Sequence, residues 1–288
     1  MKKLIIKFSG GFGNQLFQYS VAKNFELNKK FKIIPDFNFF RNYKLHKNYI
    51  QKIGFKEESL KLYLSSSFFP DRTLPYMKYY LEFFNFCKFI KEKENMEYIH
   101  LESHDLNNLY LDGYWQNLNY FSNKTKIIKK NITKFLYKYK KKQSHIFDQR
   151  GKNNFVMIHL RLKDYKNREN INKHGLLKKN YYLKAINLIN TFKKKNKYII
   201  FTDELDIAKK KFSFLKNKIF FDKKFISDPI TTMYYMTICD DFIISNSTFS
   251  WWAAYLGKNQ NKMVICPNKW FASNKYNRIS YEKKWIKI

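Results

Sequence analysis

Short apolar runs rich in Ile, Val, Phe and Tyr alternate along this chain with longer stretches whose apolar positions recur at helical spacing. That rhythm points to parallel sheets, because parallel neighbours need a long crossover and a helix supplies it. In the first half the pattern predicts strands over residues 4–8, 32–35 and 109–114, with helices over 16–28 and 76–91. The second half is cleaner, with strands over 155–159, 198–202, 242–245 and 263–266 and helices over 181–192, 229–238 and 249–256. This second series is Rossmann-like, and the expected fold class is α/β.

The 288 residues suffice for two lobes. Residues 131–153 are crowded with Lys, Gln, Ser and Asn and end near Gly151, where the apolar pattern lapses. A domain boundary is therefore expected near residue 150, giving domains over 1–150 and 151–288. No run approaches the roughly 18 apolar residues of a membrane span, and Lys7 interrupts the opening apolar run before it reaches the length of a signal-peptide core. Cys87, Cys239 and Cys266 are few, odd in number and far apart, unlike a disulfide framework, so a reducing cytoplasm is the expected setting.

Lys and Arg total 56 against 23 Asp and Glu, a formal charge of +33. The excess is scattered, as in a solvated surface, but it also favours peripheral contact with the anionic inner face of a membrane. Nucleic acid is a weaker alternative, since no nucleic-acid motif accompanies the charge.

Three segments carry chemistry. Gly10-Gly11-Phe12-Gly13-Asn14-Gln15 joins the first strand to a helix, where glycines let backbone N–H groups approach an anion at the helix start; an ordinary strand-to-helix turn is the plainer reading. His159-Leu160-Arg161-Leu162-Lys163-Asp164-Tyr165 breaks from an apolar strand into charge at its carboxyl end, the edge where open α/β sheets bind ligands. An arginine there offers a planar fork of donors to a diphosphate, although a salt bridge between Arg161 and Asp164 would close a loop equally well. Asn246-Ser247-Thr248-Phe249-Ser250-Trp251-Trp252 opens a helix with hydroxyls and N–H groups, which makes either an anion pocket or a helix cap by Ser247 or Thr248. Trp251 and Trp252 are assigned to packing, and the glycosylation sequon at Asn246 is discounted for want of a secretory signal. His100 and His104 stand at i, i+4 without an evident third ligand, and Asp203-Glu204-Leu205-Asp206 is the nearest approach to a metal-holding Asp-x-Asp string, so no metal is expected.

In this order the segments resemble the family 11 α-1,2-fucosyltransferases, whose signatures GGLGNQ-F-QYA, HIRRGDY and NS-FSWW-A-L read here GGFGNQLFQYSVA, HLRLKDY and NSTFSWWAAYL. Lesser echoes are Leu111-Asp112-Gly113-Tyr114-Trp115-Gln116 with Tyr120-Phe121, then Tyr181-Tyr182, Phe201-Thr202-Asp203, and Pro267 ahead of Trp270. The resemblance implies a GT-B-like architecture, two Rossmann-like domains facing across a cleft, with the acceptor side in 1–150 and the donor side in 151–288. It implies a GDP-fucose donor, a galactose-terminated oligosaccharide or glycolipid acceptor, no metal, and inversion at the sugar. By position, Arg161 would grip the diphosphate and His159 would line the donor pocket. Asn246, Ser247, Thr248 and Phe249 would bind phosphates or nucleoside. Gly11, Phe12, Gly13, Asn14 and Gln15 would approach the fucosyl phosphate.

The chain also departs from the family pattern. The second arginine of HIRRGDY is Leu162 and its glycine is Lys163, while Thr232 replaces an aspartate that reads the guanine edge in related enzymes. Another GDP-activated deoxyhexose is thus a second donor reading, and an inactive glycan-binding relative a third. Transfer requires a base for the acceptor hydroxyl, and Asp164 is the candidate, with Arg161 and His159 completing the catalytic set. Asp203 and Thr232 join the donor-binding set.

Overall fold

The computed structural model describes residues 2–28, 31–43, 46–55, 87–93, 95, 97–101, 108–140, 147, 151–162, 175–221, 228–272 and 279–288. They divide into two compact units, Met1–Ile132 and Thr133–Ile288.

The first unit is built on a four-stranded sheet of β1 (Lys2–Lys7), β2 (Phe31–Asp36), β3 (Lys88–Lys91) and β4 (Asn108–Asp112), in the order β2-β1-β4-β3. Every pairing is parallel, and Leu4 lies between Ile33 and Leu109 in register. Leu4 and Ile6 are fully buried and Ile5 nearly so, as expected of a run covered on both faces. The crossover from β1 to β2 is α1 (Phe12–Leu27), buried along almost its whole length. It begins four residues before the sequence suggests, at 12 rather than 16. Gly11 is the extended N-cap and the Gln15 N–H closes the first turn on its carbonyl at 3.1 Å, so the Gly-Asn-Gln string that reads as loop is helix.

A single turn, α2 (Phe39–Asn42), follows β2. The helix expected over 76–91 is corrected where it can be seen. Lys88–Lys91 is the edge strand β3, and Phe89 stacks on Tyr110 of β4 at 5.0 Å. Aromatic runs satisfy both periodicities, and cross-strand stacking decided this one; the rest of that span lies outside the described residues.

Helix α3 (Thr125–Tyr137) crosses the division between the units. Its apolar face, Ile128, Ile132, Phe135 and Leu136, keeps the i, i+4, i+7, i+8 spacing, but three lysines between those positions disguise it. Most of 141–150 lies outside the described residues. Phe147, within it, is buried against Phe155 and Tyr235 of the second unit.

The second unit runs β5 (Asn154–Leu160), α4 (Lys179–Phe192), β6 (Asn196–Thr202), α5 (Leu205–Lys211), β7 (Lys218–Phe221), α6 (Pro229–Thr237), β8 (Asp241–Ile243), α7 (Thr248–Leu256), β9 (Val264–Cys266) and β10 (Ile286–Lys287). All pairings are parallel, in the order β10-β9-β8-β5-β6-β7. Counted within the unit, the first strand lies between the second and the fourth, which is the doubly wound dinucleotide-binding arrangement. Its core joins Val156, Ile158 and Leu160 of β5 to Tyr182, Ala185, Ile186 and Ile189, one face of α4. Each Val, Leu or Ile among them contributes roughly 1.5–3 kcal/mol by leaving water. Among the described residues, no helix is long and apolar enough to cross a membrane.

Candidate active site

In a doubly wound sheet the crevice opens where the winding reverses, beyond the carboxyl ends of the two strands that flank the reversal. Here those strands are β5 and β8, and their extensions carry two of the three segments singled out above. The Arg161 guanidinium donates from Nη1 to Ser247 Oγ at 2.9 Å, so residues 86 apart in sequence share one site. His159 Nδ1 lies 2.8 Å from Ser245 Oγ, which is 3.4 Å from Ser250 Oγ. Ser250 Oγ also donates to the Ser247 carbonyl at 3.1 Å.

Ser247 holds the N-cap position of α7 with extended backbone, yet its hydroxyl makes no bond to the helix it precedes. It meets the arginine instead. The helix start has no acidic residue in its first turn, while a cation stands beside it. First-turn N–H groups lack intrahelical partners, and the helix dipole favours negative charge there. The place is suited to an anion, and the arginine fork strengthens it. Thr248 and Phe249, half-buried, form the mouth, and the His159 and Phe249 rings lie 6.0 Å apart.

His159 itself is buried, and burial with the nearby Arg161 charge lowers its pKa to about 3. It is a neutral imidazole at physiological pH, far too weakly basic to take a proton efficiently.

Other predicted residues hold the frame. Asn246 donates to the carbonyls of Gly175 at 3.2 Å and Trp270 at 3.3 Å. Asp203 accepts the Leu162 N–H at 3.0 Å and so ties the chain leaving β5 to the end of β6. Leu162, which replaces the family's second arginine, packs against the apolar core. Thr232, half-buried in the first turn of α6, donates its hydroxyl to the Asp228 carbonyl at 2.9 Å. The Asp228 carboxylate caps that helix through Thr231 N and Oγ1, each at 2.9 Å. Asp164 lies outside the described residues.

Two residues whose part the sequence left open turn out to be props. Tyr181 OH donates to the carbonyls of Ile244 at 2.5 Å and Ile265 at 3.3 Å. Tyr182 OH donates to the His159 carbonyl at 3.2 Å. Adjacent tyrosines at the start of a helix facing strand ends were the available signal.

The first unit repeats the logic at β1 and β4, the strands flanking its own reversal. Gly10 has φ +71°, and a Cβ there would fall 2.6 Å from Asn14 Nδ2, so glycine is required. Asn14 Oδ1 accepts from Gln116 Nε2 at 3.1 Å, joining the loop after β1 to the loop after β4. Gln15 is fully buried. Its Nε2 donates to the carbonyls of Gly10 and Lys47, both at 2.9 Å, and its Oε1 accepts the Tyr49 N–H at 2.9 Å. Phe12 is also buried, its ring 5.3 Å from that of Tyr49. Gly11, the N-cap, runs beside His46, and Gly13 is buried in the first turn. Gln15 and Phe12 thus shape the loop, whereas Asn14 stands at its mouth.

Gln18 and Glu92 went unnoticed in the sequence. Gln18 Nε2 donates to Ser9 Oγ at 3.2 Å and to the Gly113 carbonyl at 2.9 Å. Glu92 accepts the Tyr114 N–H at 2.7 Å. Burial raises the Glu92 carboxyl above its ordinary range, while the N–H groups of Tyr114, Trp115 and Gln116 oppose that rise. These bonds brace the loop that presents Gln116. Among the described residues no group of three or more His, Cys, Asp or Glu gathers as a metal site, and His100 is exposed; His104 lies outside them.

The chain is similar over its whole length to two curated Escherichia coli proteins. It is 27% identical over 299 residues to an "Alpha-1,2-colitosyltransferase", covering 100% of this chain and 99% of that protein. It is 28% identical over 312 residues to the "O-antigen biosynthesis glycosyltransferase WbnK", covering 97% and 98%. Among solved structures, NodZ α-1,6-fucosyltransferase soaked with GDP-fucose gives a TM-score of 0.48 at 13% identity, covering 89% of this chain and 93% of that one. Residues 2–288 match the description "Glycosyl transferase family 11", so the chain belongs to that family and is a glycosyltransferase.

Proposed function

We propose that the chain transfers L-fucose from GDP-β-L-fucose to the 2-hydroxyl of a terminal galactoside on a surface glycan, with inversion and without a metal. The observation that carries this reading is the Arg161 guanidinium bonded to Ser247 beside the start of α7. As the sugar leaves, negative charge builds on the diphosphate, and a fixed cation with helix N–H groups stabilises it more than it stabilises the bound donor. Family membership supports sugar transfer, and the motifs shared with α-1,2-fucosyltransferases support the donor and linkage. His159 serves as a neutral hydrogen-bonding wall of the donor pocket, and Asp164 as the base that takes the acceptor proton. Incubation with GDP-fucose and a terminal galactoside, followed by linkage analysis, tests the reading; a product linked elsewhere than the 2-hydroxyl, or none, refutes it.

A second donor is favoured by one observation, the full-length similarity to a colitosyltransferase. With Thr232 in place of the aspartate, transfer of another GDP-activated deoxyhexose is the alternative, and a donor panel separates the two. The charge of +33 supports work at the cytoplasmic face of a membrane on a lipid-linked acceptor. Liposome binding that does not change with anionic lipid content counts against that location.

A further inference from the structure

The first unit contains a cleft of about 240 Å³ whose lining includes Asn24, Tyr98, Leu101, Asn119, Tyr120 and Asn123. It belongs to neither loop of the candidate active site. Asn24 sits in the second half of α1, only 6% exposed, and its Oδ1 is buried with no hydrogen-bond partner among the described residues. A buried amide oxygen left unmet costs about 1–3 kcal/mol, so a small shift of the cleft wall that let a ligand hydroxyl reach Oδ1 would recover part of that cost.

The wall opposite is aromatic and braced. The Tyr120 hydroxyl accepts the Ile99 N–H at 3.0 Å, and its ring lies edge-on to Trp115 at 5.4 Å. Tyr98 rests against Tyr120 at 4.9 Å and leaves 38% of its surface exposed. Among the described residues none of the lining is charged, although the chain carries 56 Lys and Arg. A phosphate or carboxylate ligand would find no counter-charge there. Amides around an aromatic face suit a ring with hydroxyls on its rim and C–H groups on its flat side. The volume falls below the roughly 300–1,000 Å³ of pockets that enclose drug-sized ligands, which suits one ring and not several.

We propose that this cleft binds a single neutral sugar ring of a glycan, with a sugar hydroxyl donating to Asn24 Oδ1 and the ring lying on Tyr98. Asn24 is ten residues from Asn14 on the same helix, about 15 Å at 1.5 Å per residue. The cleft is therefore a remote subsite, which holds the acceptor chain a few sugars away from the residue that is modified. That the glycan is the acceptor rests on the transferase reading above; that the cleft takes a neutral sugar does not.

The test uses the full chain and two probes, an unbranched neutral galactose-terminated tetrasaccharide and GDP, each titrated by ligand-observed NMR and calorimetry. Wild type is compared with Tyr98→Ala and Asn123→Ala, both surface changes. We expect the surface variants to weaken tetrasaccharide binding about tenfold with GDP binding unchanged, and in turnover to raise KM for the tetrasaccharide while kcat and the KM for a galactose monosaccharide stay put. Variants that bind the tetrasaccharide as wild type does overturn the subsite. Absence of tetrasaccharide binding to wild type that still binds GDP also overturns it and leaves the nucleotide reading standing, whereas loss of GDP binding alone strikes the transferase reading and spares the cleft.

Discussion

Replacing Arg161 with alanine separates the catalytic from the structural worth of one side chain. Arg161 is half-buried, and its bond to Ser247 Oγ at 2.9 Å ties the end of β5 to the start of α7. Removing it strands the hydroxyl of Ser247, which is 3% exposed, and the cost to folding is about 1–3 kcal/mol. That is small against the 5–15 kcal/mol by which native domains are usually stable. The catalytic loss is larger. Removing one preorganised donor from a developing oxyanion costs about 2.7–4 kcal/mol, or roughly 10²–10³ in kcat, and a guanidinium supplies a cation and a second donor besides. Arg161→Ala should therefore fold, lose at least a hundredfold in kcat with GDP-fucose, and bind GDP more weakly. Arg161→Lys restores the charge without the fork and should recover only part of the loss. Initial rates at saturating donor, GDP calorimetry and circular-dichroism melts give the three readouts. A folded Arg161→Ala with kcat within threefold of wild type refutes the assigned role.

Three other outcomes follow from the same contacts. His159 is held neutral with its pKa lowered to about 3, so below pH 6.5 the unfolded chain binds a proton that the native one does not. Its contribution to stability is whole above pH 6.5 and falls by about 1.4 kcal/mol per pH unit down to about pH 3, so His159→Gln should flatten urea-melt stability against pH by that slope. Gly113→Ala would place a methyl 2.4 Å from Glu92 Cβ; it should cost about 1–3 kcal/mol in melts and, by displacing the loop that carries Gln116, lower kcat as well. Tyr181→Phe strips the donor shared by Ile244 and Ile265 and should destabilise by about 1–3 kcal/mol, with the GDP affinity falling as the strand end before Ser247 loosens.

The fold was legible wherever burial alone set the pattern. Apolar runs such as Phe155 to Ile158 read as central strands because a doubly covered sheet admits few polar side chains and only with partners. Legibility failed where one composition serves two ends. Phe89 and its aromatic neighbours fit helix or strand until Tyr110 stacked on one of them, and the apolar face of α3 was hidden by its lysines. At the site, residue type and position singled out Arg161 and Ser247 at two strand ends, and their side chains meet there. Neither could reveal that Gln15, Asn246 and Asp203 would spend their polar groups on backbone, because that depends on distant partners such as Lys47, Leu162 and Gly175, 32 to 71 positions away in sequence.

Those long-range partners explain why the motifs are longer than the chemistry needs. An arginine and a hydroxyl can serve a departing phosphate only if two strand ends keep their register, and each end here is braced from outside by a tyrosine, Tyr182 on the His159 carbonyl and Tyr181 on the Ile244 carbonyl. The first unit uses amides to the same end, with Gln18 binding the loop after β1 to the Gly113 carbonyl and Gln116 reaching back to Asn14. In both units the polar residues of the motif divide into a few that face the reversal point and a larger number that lock its two loops together. A substitution among the second group should therefore weaken donor binding and turnover without touching substrate, in proportion to how far it lets the strand ends drift.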